Sequence, residues 1–172
     1  MNKIFFAIAQ TIVTVFIVLI AVPATAQEVK RLANIDGSEK PAYINLVEGK
    51  AVSQYGDWNI AFHKTTILIN SGTSGSKKDS AQLVTASFDQ LNTAPVSGYK
   101  ADGDQKAIPQ GSGNGWYLYD MQDHSINPIP DRVIIVKTST GQFIKVQIIN
   151  YYRNQLTSEP TGFYTIRYAI LK

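Results

Sequence analysis

The side chains available for chemistry are few. The chain has no cysteine, and its histidines are His63 and His124 and its methionines Met1 and Met121. That excludes disulfides, thiolate metal centres, iron–sulfur clusters, a cysteine nucleophile and a lipidated N-terminal cysteine. It also excludes mechanisms that need several imidazoles. The stretch 72–78 (GTSGSKK) starts like a phosphate-binding loop, but that motif needs a second glycine five positions after the first, followed by lysine. Position 77 is itself lysine, so the match fails. Ser74 and Lys77 have the Ser-x-x-Lys spacing of penicillin-recognising enzymes. Here, however, the serine sits in a glycine-rich loop without companion motifs. Asp123-His124-Ser125 holds the three residue types of a hydrolytic triad as sequence neighbours. A working triad has its imidazole bridging two side chains that the fold brings together, so a polar turn is the better reading. No carboxylate pair on one strand suggests a glycosidase, and no His-x-His or His-Glu-x-x-His suggests zinc. The chain is not expected to be an enzyme.

Aromatic residues are the ample resource, with Tyr 9, Phe 7 and Trp 2. Tyr99, Trp116, Tyr117, Tyr119 and Tyr152 lie near predicted loops. Such rings can line a cleft for a flat apolar ligand or fill the core and edges of a β-domain. Trp58 and Trp116, each at the start of a strand, are expected to be packing anchors.

The elements that must position these groups are strands. The length of 172 residues suits one domain, and 44% hydrophobic with 17% charged residues provides for a core. Sixteen basic against 13 acidic side chains give a formal charge of +3 without any block of like charge, which argues against nucleic-acid binding. Short β-branched and aromatic runs alternate with Gly, Pro, Asn, Asp and Ser clusters, predicting an all-β domain of antiparallel strands and hairpins with long loops. The runs are 58–70 (WNIAFHKTTILIN), 132–137 (RVIIVK), 143–152 (FIKVQIINYY) and 163–171 (FYTIRYAIL). The second and third, linked through Thr138-Ser139-Thr140-Gly141, read as a hairpin. Period-two alternation puts Ile144, Val146, Ile148 and Asn150 on a mostly buried face, with Phe143, Lys145, Gln147 and Ile149 on the other. Tyr164, Ile166, Tyr168 and Ile170 form a further set. Residues 96–130 hold much of the Gly and Pro around one short strand, 115–119 (GWYLY). Loops of this kind on a rigid sheet are where binding groups tend to sit.

At the N-terminus, Lys3 precedes an apolar run, 4–22, then Pro23 and Ala24-Thr25-Ala26. A positive start, an apolar middle and a small-x-small end read as a secretory signal peptide over 1–26. That leaves a domain over 27–172 in the periplasm or secreted; a retained hydrophobic anchor is the alternative.

The order of motifs resembles the HmuY family of secreted heme-binding proteins from Bacteroidetes-type bacteria. The matching pieces start with Asp57-Trp58-Asn59-Ile60-Ala61-Phe62-His63-Lys64 and Asn70-Ser71-Gly72-Thr73-Ser74-Gly75. Phe88-Asp89-Gln90, 95–99, Gly115-Trp116, Arg132-Val133-Ile134-Ile135-Val136, Lys145-Val146-Gln147, Tyr151-Tyr152 and 163–168 follow. The resemblance implies an all-β fold with a heme-holding cleft between loops. It also implies heme capture and hand-off to an outer-membrane, TonB-dependent receptor. Relatives hold the iron between two axial residues, one of them shortly after the Gly-Trp strand; that position falls on Met121, with His124 in the same loop. Tyr117 and Tyr119 would then lie against the porphyrin. The other axial residue in relatives precedes the Gly-Trp strand, but here 100–114 contains neither His nor Met. His63 stands in a scaffold motif and is expected to be structural. The alternative is a β-domain of the same fold that binds a surface protein or glycan instead of heme.

Overall fold

The computed structural model describes residues 27–171; the signal-peptide reading of 1–26 lies outside the described residues. The strands are β1 Lys30–Asp36, β2 Ala42–Asn45, β3 Lys50–Val52, β4 Ile60–His63, β5 Thr66–Ile69 and β6 Ser80–Thr85, followed by β7 Tyr117–Tyr119, β8 Ile126–Pro128, β9 Arg132–Lys137, β10 Phe143–Tyr152 and β11 Thr161–Leu171. A single 3-10 turn, Arg153–Gln155, is the helical element among the described residues. One sheet has the order β1-β11-β10-β9-β6, a second β3-β2-β4-β5, and β7 pairs with β8 as a separate hairpin. All pairings are antiparallel. The all-β expectation holds.

The two sheets face each other because their apolar residues alternate in register. Ile134 and Val136 of β9, Ile144, Val146 and Ile148 of β10, and Tyr164, Ile166 and Tyr168 of β11 point inward. They meet Ile44, Ile60, Phe62, Ile67 and Ile69 of the second sheet. The rings of Phe62 and Tyr164 lie 4.5 Å apart across this core. Each such fully buried side chain contributes roughly 1.5–3 kcal/mol of transfer free energy.

Three readings of the sequence need correction. The run 58–70 is two strands, not one: β4 and β5 form a hairpin whose turn has Lys64 at φ 49°. Lys145 and Gln147, assigned to the less buried face of β10, are themselves buried, at 2% and 7% exposure. The segment after β6 covers that face: Phe88, Leu91, Ala94 and Tyr99 pack there on Val133, Ile135, Ala169 and Leu171. Lys145 is tolerated because its Nζ donates to the carbonyls of Phe88 (2.7 Å) and Leu91 (2.9 Å) and sits 4.4 Å from the Phe88 ring centre. Ile170, grouped with the core set, is 40% exposed.

The predicted loop after β5 is held by a buried polar network. The Asp102 carboxylate accepts the N–H groups of Ile69 (3.0 Å) and Ala107 (2.8 Å). Asn59 and Asn70 bridge backbone and side chains nearby, Asn59 reaching Asp79 at 3.0 Å and Asn70 the Trp58 carbonyl at 2.9 Å. Gly72 has φ +53°, and a Cβ there would lie 1.8 Å from the Asp102 carbonyl oxygen, so only glycine fits. The motif 70–75 is therefore scaffold.

At the outer edge of the larger sheet, β1 carries a bulge between Leu32 and Ile35, with Asn34 at φ 53°. Asn34 and Asn154, also left-handed, exchange hydrogen bonds of 2.8 and 3.3 Å. At the other edge, the isolated bridge between Ala81 and Lys100 pairs β6 with the loop beyond it.

Candidate functional site

The β7–β8 hairpin is rooted in both sheets. The Trp116 indole donates to the Thr65 carbonyl in the β4–β5 turn at 2.9 Å. The Tyr164 hydroxyl donates to the neighbouring Lys64 carbonyl. On the other side, the Ile126 N–H donates to the Tyr152 hydroxyl at 2.7 Å. Trp58 and Trp116 are 3% and 2% exposed, the packing anchors the sequence suggested. Around Trp116 the rings of Tyr117, Tyr151 and Tyr164 approach to 4.9–5.4 Å. Burial pushes the Tyr151 phenol up to about 12 and the Tyr164 phenol well above its ordinary value. Most of the aromatic supply therefore makes a rigid base under the hairpin.

From that base, the turn 120–125 projects outward. It is closed by Asp120 N–H to Ser125 carbonyl (2.8 Å). Two Asx turns tighten it: Gln122 N–H to Asp120 Oδ1 (2.7 Å) and Ser125 N–H to Asp123 Oδ1 (2.9 Å). The Ser125 side chain and backbone hold the Asp123 carboxyl below its usual range, since both hydrogen bonds favour the charged form. His124 has φ 60°. A left-handed histidine costs on the order of 1 kcal/mol, and such a conformation persists only where its surroundings enforce it.

The four sequence-designated residues cluster on this hairpin. The Tyr119 hydroxyl lies 2.6 Å from His124 Nδ1, and the Tyr119 N–H donates to Ser112 Oγ at 2.8 Å. When Nδ1–H donates to the Tyr119 oxygen, Nε2 keeps its lone pair for a metal. Met121 is 81% exposed and Tyr119 43%. Tyr117 is half-buried against Trp116. Leu118, which the sequence did not single out, is 53% exposed on the same hairpin. Leu118 and Tyr119 point to opposite faces of β7, so of the exposed apolar side chains the Tyr119 ring is the one that lies beside His124. A groove of about 640 Å³ runs beside it, lined by His124, Tyr152, Glu159, Pro160 and Thr161 among others.

The donor set suits an iron porphyrin on one side: one imidazole with an orienting partner and the Tyr119 ring beside it, and one thioether in the same turn. His63 is half-buried at the end of β4, outside this loop. Among the described residues no group of three or more His, Cys, Asp or Glu side chains is arranged to hold a bare metal ion.

The hydrolytic motifs do not assemble. Ser74 Oγ accepts from Lys106 Nζ at 2.9 Å, whereas Lys77 is ion-paired with Asp57. Asp123, His124 and Ser125 make a turn in which the imidazole contacts Tyr119 and bridges neither neighbour. No helix among the described residues is long and apolar enough to cross a membrane.

A family model described as HmuY protein matches residues 38–168. Several solved structures share the fold. The apo HmuY analog of Tannerella forsythia aligns at TM-score 0.56 and 14% identity, covering 85% of this chain and 96% of that one. Apo PinO, described as from Porphyromonas gingivitis, aligns at TM-score 0.62 and 15% identity, over 84% and 98% of the two chains. A Bacteroides vulgatus protein described as HmuY-like and heme binding aligns at TM-score 0.54 and 17% identity, over 86% and 93%. No curated protein gives a significant match.

Proposed function

Because the chain belongs to the HmuY family, we propose that it is an extracytoplasmic heme-binding protein, with the His124 loop as its iron-binding element. The observation that carries this is the Tyr119–His124 contact of 2.6 Å inside a turn closed by three further hydrogen bonds. A side chain held this way meets an incoming metal with its orientation already set, so less freedom is lost on binding. Met121 in the same turn is the alternative axial donor. Tyr119 offers apolar contact, with Tyr117 on the same face of β7 against the Trp116 base.

Heme would supply the iron centre and a large apolar surface, and the protein one oriented donor, His124, beside the Tyr119 ring. Residues 100–114 lack His and Met, so no second donor would come from that segment. A heme held by one such donor would be bound weakly, which would suit a carrier that releases its cargo. Residues 1–26 would serve as a cleaved export signal. The carrier would work in the periplasm or outside the cell and pass heme to an outer-membrane, TonB-dependent receptor. No reaction is catalysed in this reading.

Titrating haemin into the purified protein while recording the Soret and Q bands tests the proposal. A sharp, shifted Soret band that is weakened by His124→Ala or Met121→Ala supports it. A free-haemin spectrum, or one indifferent to both substitutions, overturns it.

A further inference from the structure

The outer face of the larger sheet is covered only in part. Phe88, Leu91, Ala94 and Tyr99 pack over Val133, Ile135, Ala169 and Leu171. Beside that cover lies a groove of about 560 Å³, lined by Val29, Arg31, Pro128, Pro130, Ile149 and Arg167 among others. Val29 is 50% exposed and Ile149 39%. The walls are mainly apolar, and the size is that of a small-molecule site.

Charge gives the groove a direction. Arg31 and Arg167 are cross-strand partners, directly opposite on β1 and β11, and Gln147 is opposite Arg167 on β10. Like charges at directly opposed positions repel. Asp89 answers one of them, contacting Arg167 Nη1 at 3.1 Å and Nη2 at 3.3 Å. Arg167 Nε is also taken, by Gln147 Oε1 at 2.7 Å. Arg31 donates only to the neutral Gln155 amide oxygen, and among the described residues no carboxylate pairs with it. The row keeps one cation without a counter-charge, at the mouth of an apolar trough.

We infer that this groove binds an amphipathic carboxylate, its anionic head on Arg31 beside Arg167 and its hydrocarbon body along Val29, Ile149, Pro128 and Pro130. A guanidinium suits a carboxylate because two N–H groups match its two oxygens. The Gln155 contact lies on an exposed surface and is readily exchanged for a charged acceptor. This site shares no lining residue with the His124 groove and does not rest on the heme reading.

The test uses cis-parinaric acid, a fluorescent polyene carboxylate, titrated into the purified protein, with its methyl ester and iron-free protoporphyrin as comparison ligands. Saturable 1:1 fluorescence enhancement is expected. It should weaken about tenfold or more in Arg31→Glu and with the ester, be reduced by Ile149→Asp, and be unchanged by His124→Ala. Arg31 and Ile149 are exposed, so both variants should fold. Displacement of the probe by protoporphyrin, with the same loss in Arg31→Glu, would identify propionate side chains as the source of the carboxylate. Absence of saturable binding, equal binding of the ester, or indifference to Arg31→Glu would overturn the inference.

Discussion

The Tyr119 hydroxyl stands 2.6 Å from Nδ1 of His124, five residues along the chain but directly across the mouth of the hairpin turn. This contact decides which imidazole nitrogen faces outward. Tyr119→Phe removes it without changing ring size. We expect nitrogen-edited NMR of the ligand-free protein to show Nδ1–H on His124 in the wild type and a mixture of tautomers in the variant. Heme affinity should fall about 10-fold or more, the usual scale for losing an orienting partner. An unchanged tautomer and unchanged affinity would remove Tyr119 from the site.

Asp102 tests the scaffold below. Its carboxylate is fully buried and accepts two backbone N–H groups, from Ile69 and Ala107. Asp102→Ala leaves both donors without an acceptor, and at about 1–3 kcal/mol per buried unsatisfied group the loss should total roughly 2–6 kcal/mol. Urea denaturation followed by tryptophan fluorescence measures it. A loss below about 1 kcal/mol would mean that water or another acceptor takes over.

Lys145 holds the outer covering segment in place. Lys145→Met keeps the aliphatic length but leaves the carbonyls of Phe88 and Leu91 without their donor. We expect a loss of roughly 1–3 kcal/mol. Faster amide exchange should follow in the segment around Phe88, whereas the Trp58 and Trp116 environments, on the opposite side of the sheet, should be unaffected. Uniform loosening of the whole chain would contradict this placement.

The buried phenols set an alkaline limit. Tyr151 and Tyr164 have folded values above the ordinary tyrosine value of 10, Tyr151 at about 12. Above pH 10 the unfolded chain loses these protons while the folded chain retains them. Their stabilising effect is thus complete below 10 and is lost as pH rises toward 12 and beyond. Absorbance at 295 nm should show exposed tyrosines ionising first and the Tyr151 and Tyr164 signal appearing late, together with loss of structure. A single early titration step for every tyrosine would refute the buried aromatic base.

Strong alternation made much of this fold legible. The β9–β10 hairpin follows the sequence reading to the residue, and Trp58 and Trp116 anchor as expected. The misses have physical causes. The edge strands β1 and β3 bury little, and the interior strand β2 is only four residues long, so periodicity carries little signal there. The break at Lys64 has no Gly, Pro or Asn to announce it. Burial of Lys145 depends on a covering segment far away in sequence, and that of Gln147 on Pro130 and Arg167 from other elements, none of which alternation within one strand can report. The polar turn at Asp123-His124-Ser125 was readable from its residue types, but the Tyr119 contact depends on hairpin closure. The Arg31–Arg167 opposition likewise needs the register of β1 on β11.

The kink at Asn34 has a consequence for life at high concentration. A straight outer strand is a template onto which a neighbouring molecule can zip its own backbone. Here the misaligned stretch between Leu32 and Ile35, clasped by Asn154, interrupts that template, and the Lys100 bridge caps the opposite rim. A protein crowded among others of its kind can therefore stay dispersed without any covalent staple.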